Sequence, residues 1–153
     1  MKNRRDNMEE QKLRSDVTKF HKGVYAIIKN DNQILLIKKA RGPYTGLYDL
    51  PGGSPEVGET PEQTLIREVK EETNCDVESY TFLEEKTIIF SNFTKASGKT
   101  GVLQHTGVLF VAQVTGQPTE QGDGLDSNGT IWMPLNQLSS DNATPFALYA
   151  KDI

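Results

Sequence analysis

The apolar positions of this chain follow two different periods, and the change from one to the other marks out strands and one clear helix. Lys22 to Lys29 (KGVYAIIK) and Gln33 to Lys38 (QILLIK) are β-rich runs separated by Asn30-Asp31-Asn32. Asn and Asp tolerate the positive φ that tight turns need, so the two runs are expected to form a hairpin. Gly and Pro mark Ala40 to Gly46 as a loop. Leu47 to Leu50 is a short expected strand that ends at Pro51-Gly52-Gly53, and Ser54 to Glu59 continues as loop.

The helical period appears over Thr60 to Thr73. Thr60 can accept from the backbone N–H three residues on while Gln63 reaches back, a capping box. Pro61 stands at the first helical position, where its missing N–H costs nothing. Leu65, Ile66 and Val69 form an apolar stripe at helical spacing, expected to anchor the helix on a sheet. Asn74 is expected to stop the helix in a left-handed cap. Beyond Cys75 the pattern returns to strands, roughly Val77 to Leu83, Lys86 to Phe90, Val102 to Val114 and Thr130 to Met133. Polar loops, Asn92 to Gly101 and Thr115 to Gly129, lie between them. Pro134 to Leu138 and Pro145 to Ala150 read as short helices. These elements predict one α/β domain with a mixed sheet over residues 18–153, preceded by a polar extension over 1–17.

A length of 153 residues suits one core better than two. No apolar run is long enough to cross a bilayer, and the first sixteen residues lack the apolar stretch of a secretory signal. Cys75 is the single cysteine, which excludes an internal disulfide and favours a reducing, cytoplasmic setting. The formal net charge of -4 argues against broad binding to nucleic-acid backbones. A polyanionic substrate would therefore need a metal or a local basic cluster.

Three carboxylates, Glu68, Glu71 and Glu72, fall at i, i+3 and i+4 of the expected helix, within one turn of each other. A solvated acidic surface would look the same, and like charges at this spacing weaken a helix slightly. Hard divalent cations, however, take several oxygen ligands, and a carboxylate cluster supplies them. Gly52-Gly53, just upstream, would let backbone groups approach a ligand closely.

The segment Gly53 to Cys75, GSPEVGETPEQTLIREVKEETNC, resembles the signature of the Nudix hydrolases. Gly53, Glu59, Arg67, Glu68, Val69, Glu71 and Glu72 fall on it at matching spacings. Asn74 departs from the usual Gly, and Cys75 takes the place of the following hydrophobe. The Leu50-Pro51-Gly52-Gly53 entry and the Trp132-Met133-Pro134-Leu135 stretch agree as flanks. The resemblance implies an α/β/α sandwich around a mixed β-sheet, and water attack on phosphorus in a nucleoside diphosphate-linked small molecule. It further implies Mg²⁺ or Mn²⁺ held by Glu68, Glu71, Glu72 and the Gly52 carbonyl. Glu59, Arg67, Glu68 and Glu71 would form the catalytic machinery, Glu71 as ligand or water-activating base and Glu59 with Arg67 as an orienting ion pair.

Lys38, Lys39 and Arg41 are candidates for gripping substrate phosphate, and Tyr44 or Tyr48 for stacking on a base. A solvated strand end and a half-buried strand aromatic explain the same residues. His21 and His105 sit in β-like runs and read as packing or surface residues. An additional acid could come from Glu84, Glu85, Glu120, Asp123 or Asp126. The expected partner is a small-molecule diphosphate; neither nucleic acid nor membrane is expected, and a homodimer stays open. The rival reading is a catalytically silent Nudix-like domain that binds a nucleotide as a regulator. Such a domain would be expected to lose signature carboxylates, and this chain has them all.

Overall fold

In the computed structural model, which describes residues 8, 17–94, 98, 100–119 and 127–153, the strands divide into two sheets that share a hairpin. The first sheet has the order β5-β1-β7-β6, built from β1 (Lys19–Ile27), β5 (Gly52–Gly53), β6 (Asp76–Thr94) and β7 (Thr100–Thr115). It is mixed: β1 runs parallel to β7 and antiparallel to β5, and β6 is antiparallel to β7. The second sheet centres on β3 (Gln33–Lys39), flanked by β2 (Lys29–Asn30), β4 (Tyr48–Asp49) and β8 (Ser127–Pro134). The expected hairpin forms, with Asp31 at φ 52° in its turn. Its arms pair only near the tip, Lys29 with Ile34 and Asn30 with Gln33, and then part into separate sheets.

That parting creates the layers. Successive residues of a strand face opposite ways, so Val24, Ala26 and Ile28 join one apolar cluster while Tyr25 and Ile27 join another. Leu35 likewise faces one side, and Ile34 and Leu36 the other. Helix α1 (Pro61–Thr73) covers the first cluster with Leu65 and Val69. Helix α2 (Pro145–Lys151) covers the second with Phe146, Ala147 and Ala150. This is the helix–sheet–helix layering implied by the sequence.

Two local expectations change. The break expected between Leu83 and Lys86 is absent: β6 runs through it, with Glu84 opposite Leu109 and Glu85 opposite Val108. A register shift between Phe82 and Glu84 absorbs the irregularity as a bulge, which bends a strand without ending it. In α1, Ile66 is 45% exposed and does not belong to the anchoring stripe. At about 100° per residue, Val69 and Glu72 lie close to the direction of Leu65, whereas Ile66 points a quarter-turn away. The buried face therefore includes Glu72, and the acidic and apolar faces overlap. The Pro134 to Leu138 helix is a single 3-10 turn, Leu135–Gln137. The 1–17 extension, apart from Met8 and Val17, and Glu120, Asp123 and Asp126 lie outside the described residues.

Candidate active site

The entry to α1 is fixed by its own sequence. Thr60 caps it, with the Gln63 N–H donating to Thr60 Oγ1 at 3.2 Å and the Thr60 N–H donating to Gln63 Oε1 at 2.9 Å. Asn74 ends it at φ 65°, the left-handed cap expected of Asn. Thr130 Oγ1 from β8 donates to the Glu72 carbonyl at 3.1 Å and ties the far end of the helix to the second sheet.

Gly52 and Gly53 bring β5 against both β1 and α1. A Cβ at Gly52 would lie 2.0 Å from the Val24 carbonyl oxygen, and its φ of 151° is one that side-chain-bearing residues rarely adopt. Lacking that Cβ, Gly52 pairs with Tyr25 and donates its N–H to Glu72 Oε2 at 3.0 Å. A Cβ at Gly53 would lie 2.7 Å from Glu68 Cδ. The two glycines thus set the positions of the Glu72 and Glu68 carboxylates.

Arg67 is the hub on the outer side. Its Nε donates to Glu59 Oε2 at 2.7 Å and one terminal nitrogen donates to Glu59 Oε1 at 2.9 Å, a bidentate pair. The other terminal nitrogen reaches Glu68 Oε1 at 2.9 Å and Glu71 Oε2 at 3.2 Å. Glu59 also accepts from Thr64 Oγ1 at 2.7 Å and from the Glu56 N–H at 3.0 Å. Chiefly through Arg67, these donors pull the Glu59 carboxyl down to about 2. The guanidinium itself is held charged more strongly still.

On the inner side, Glu72 is 4% exposed, and burial, with the Glu68 and Asp49 charges adding to it, raises its carboxyl well above the ordinary range. Gly52 and Lys39 oppose that shift. Asp49, also buried, accepts from Thr144 Oγ1 at 2.6 Å and from the Leu50 N–H at 2.8 Å, yet burial still raises it. These groups line a cavity of about 460 Å³, a volume typical of small-molecule sites. The lining combines the acids Glu68, Glu72 and Asp49 with Lys19, Lys39 and Arg41 and the His21 imidazole, and Lys39 is near enough to oppose the shifts of Glu72 and Asp49.

Of the residues singled out from sequence, His21, Lys39, Arg41, Tyr44, Gly52, Gly53, Arg67, Glu68, Glu72 and His105 line this cavity, and Glu59, outside the lining, pairs with Arg67. Three more lie outside it. Lys38 is exposed, its Nζ 5.9 Å from the Tyr48 ring, Tyr48 packs on the α2 side of the core, and Glu71 is about half exposed. Glu84 accepts from the Tyr149 hydroxyl and Glu85 pairs with Lys22, both away from the cavity. Sequence reasoning passed over Asp49 and Tyr25, and read His105 as a packing or surface residue. Asp49 did carry a signal, as an acid inside a short apolar strand; the other two are recruited by pairings between distant segments.

The donor set suits a hard divalent cation: two carboxylates, one of them buried, stand where like charge is otherwise unfavourable. Among the described residues no three His, Cys, Asp or Glu side chains form a complete cluster. Magnesium in particular is usually held by one or two carboxylates plus water and substrate phosphate, which this arrangement can supply.

A model of the NUDIX domain matches residues 19–151. The chain belongs to the Nudix family. An ADP-ribose pyrophosphatase of Methanocaldococcus jannaschii is 54% identical over 50 residues, 33% of this chain and 30% of that protein. The chain thus spans under a third of that relative's length. A MutT-like protein of Streptomyces ambofaciens is 38% identical over 126 residues, covering 82% of this chain and 71% of that one. A MutT Nudix hydrolase of Burkholderia pseudomallei has a solved structure that superposes with a TM-score of 0.63 at 26% identity, covering 88% of this chain and 98% of that one. Nudix hydrolases generally use divalent cations, in keeping with the carboxylates of α1. No helix among the described residues is long and apolar enough to cross a membrane.

Proposed function

We propose that this Nudix chain hydrolyses the P–O–P bond of a nucleoside diphosphate derivative, with Mg²⁺ or Mn²⁺ held by Glu68 and Glu72. The observation that carries the reading is the Glu72 carboxylate, buried on the Gly52 N–H, in a cavity whose lining also holds Glu68, Lys39 and Arg41. A buried carboxylate facing another is unfavourable on its own account and favourable once a cation is bound. The family relatives named above as a pyrophosphatase and as MutT-like support the bond type.

When bound, the metal would acidify a water and screen the diphosphate charge. The residues do the rest. Arg67, itself part of the cavity lining, holds Glu68 through the Glu68 Oε1 and so fixes the carboxylate that meets the ligand. Glu59 keeps Arg67 in that orientation, and its low pKa keeps the pair ionised at any pH the enzyme meets. Lys39 and Arg41 offset charge on the phosphates. Glu71 lies outside the cavity lining, half exposed and reached by Arg67; under this reading it takes a proton from attacking water or completes the metal shell through solvent.

The test is a panel of nucleoside triphosphates, nucleotide sugars and dinucleoside polyphosphates with Mg²⁺, followed by chelation and by Glu72→Gln. Turnover should vanish with chelator and return with added Mg²⁺. Glu72→Gln should abolish most turnover while the metal-free variant melts no lower than the parent. Near-normal turnover by that variant on a substrate the parent cleaves would defeat the reading.

A further inference from the structure

In the wall of the cavity, three buried side chains from three separate segments are joined in a row. The Tyr25 hydroxyl is 2.7 Å from His105 Nε2, and the Tyr44 hydroxyl is 2.8 Å from His105 Nδ1. Their exposures are 4%, 4% and 1%. Burial holds the imidazole neutral, lowering it to about 3. A neutral imidazole has one N–H and one lone pair. One tyrosine must therefore donate to His105 and the other accept from it.

The backbone makes room for this row. On the sheet face that carries Tyr25 and His105, Gly23 and Gly107 are register partners. A Cβ at Gly23 would lie 2.4 Å from the Tyr25 hydroxyl, and one at Gly107 would lie 2.9 Å from Phe146 Cζ. The Tyr25 ring lies back across Gly23 to reach His105, and Phe146 meets the His105 ring edge-on with centroids 4.7 Å apart.

Tyr44 is the exception in this row, because it belongs to the loop between β3 and β4. That loop is closed at its base by the Gly46 N–H to Lys39 O and Lys39 N–H to Leu47 O bonds, both 2.9 Å. Between those bonds it presents Arg41, Gly42 and Pro43 to the cavity. Tyr44 fastens it to the first sheet through His105 and through the Phe90 ring, 4.7 Å away.

We propose that Tyr25, His105 and Tyr44 are positioning residues: a hydrogen-bonded bridge from the first sheet that holds the β3–β4 loop, and with it Arg41 and the Lys39 end of β3, where they meet the substrate's phosphates. The Glu68 and Glu72 carboxylates are held by Arg67 and the Gly52 N–H rather than by His105 or Tyr44, so breaking the bridge at either of those two residues weakens substrate binding more than turnover. The substrate arm of this inference rests on the proposed hydrolase reading; the loop-anchoring arm does not.

The experiment compares His105→Leu, His105→Gln and Tyr44→Phe by amide hydrogen exchange and by steady-state kinetics on a substrate the parent cleaves. Glutamine offers both a donor and an acceptor, whereas leucine offers neither. Tyr44→Phe keeps the ring against Phe90 and loses only the hydroxyl, so it decides the matter if His105→Leu fails to fold. His105→Leu and Tyr44→Phe should speed exchange at the Thr45, Gly46 and Leu47 amides about tenfold, the size of one buried hydrogen bond. They should raise KM by a similar factor while kcat stays within about threefold. His105→Gln should restore most of both. Parent-like exchange and KM in Tyr44→Phe, or His105→Gln no better than His105→Leu, would overturn the bridge. If the parent cleaves nothing, the hydrolase reading fails and exchange alone decides the bridge.

Discussion

Gly52 and Gly53 are neighbours in sequence, yet alanine at each should fail in a different way. At Gly52 the new Cβ would meet the Val24 carbonyl at 2.0 Å, and a backbone atom cannot step aside cheaply. The strained φ costs about 1–3 kcal/mol, and losing the N–H bond to the Glu72 carboxylate costs about 1.5–3 kcal/mol more. Together these amount to about 3–6 kcal/mol, or roughly 6–24 °C in melting temperature for a domain of this size. At Gly53 the Cβ would meet Glu68 Cδ at 2.7 Å, the far end of a flexible side chain. Glu68 can rotate away, and alanine narrows the unfolded ensemble, so stability should stay within about 1 kcal/mol of the parent. The displaced carboxylate should cost about 10- to 100-fold in activity or metal affinity. Thermal unfolding and hydrolysis rate, measured on both variants, separate the two cases. A Gly53→Ala protein with parental activity, or one that melts as low as Gly52→Ala, refutes the assignment of Gly53 to the Glu68 carboxylate.

Further changes probe the outer side of α1. Because Arg67 pulls Glu59 from 4.5 to about 2, the pair contributes stability that is fully present above pH 4.5 and is lost as pH falls towards 2. Glu59→Gln should flatten that part of the melting-temperature profile between pH 5 and 2.5, and an unchanged slope would contradict the pairing. Asn74→Gly should shift stability by less than about 1 kcal/mol, since both residues fit a left-handed cap; a larger loss in thermal unfolding would reveal a side-chain contact. Ile66→Ser should cost under about 1 kcal/mol, as surface changes do, whereas a core position would lose several degrees of melting temperature.

The helix and its caps were legible because their signals are local. Thr60, Pro61, Gln63 and Asn74 act within a turn of one another, and the period of Leu65 and Val69 fixes which side is buried. The same period placed Glu72 near that side, but the mismatch with Ile66 was hidden until the sheet defined the contact. The rear of the cavity was not legible. His105 looks like any polar residue in a strand until β7 pairs with β1 and sets it opposite His21. Tyr44, a candidate for stacking on a base, is instead buried on His105 and Phe90, because nothing near it in sequence reveals those partners. Asp49 was within reach, since an acid flanked by Tyr48 and Leu50 needs partners when buried, and Thr144 supplies one from across the fold.

The parallel pairing of β1 with β7 also governs how the chain is made. The partner of the first central strand lies 84 residues downstream, and residues emerge from a ribosome at about 5–20 per second. Val24 to Ile27, apolar on both faces, therefore wait roughly 4–17 s for β7 to be synthesised. Gly52 and Gly53 arrive far earlier and pair with Tyr25 and Val24. During synthesis, this two-residue strand covers only the edge of β1 opposite to the one that awaits β7; the awaiting edge stays open to other nascent chains until β7 arrives.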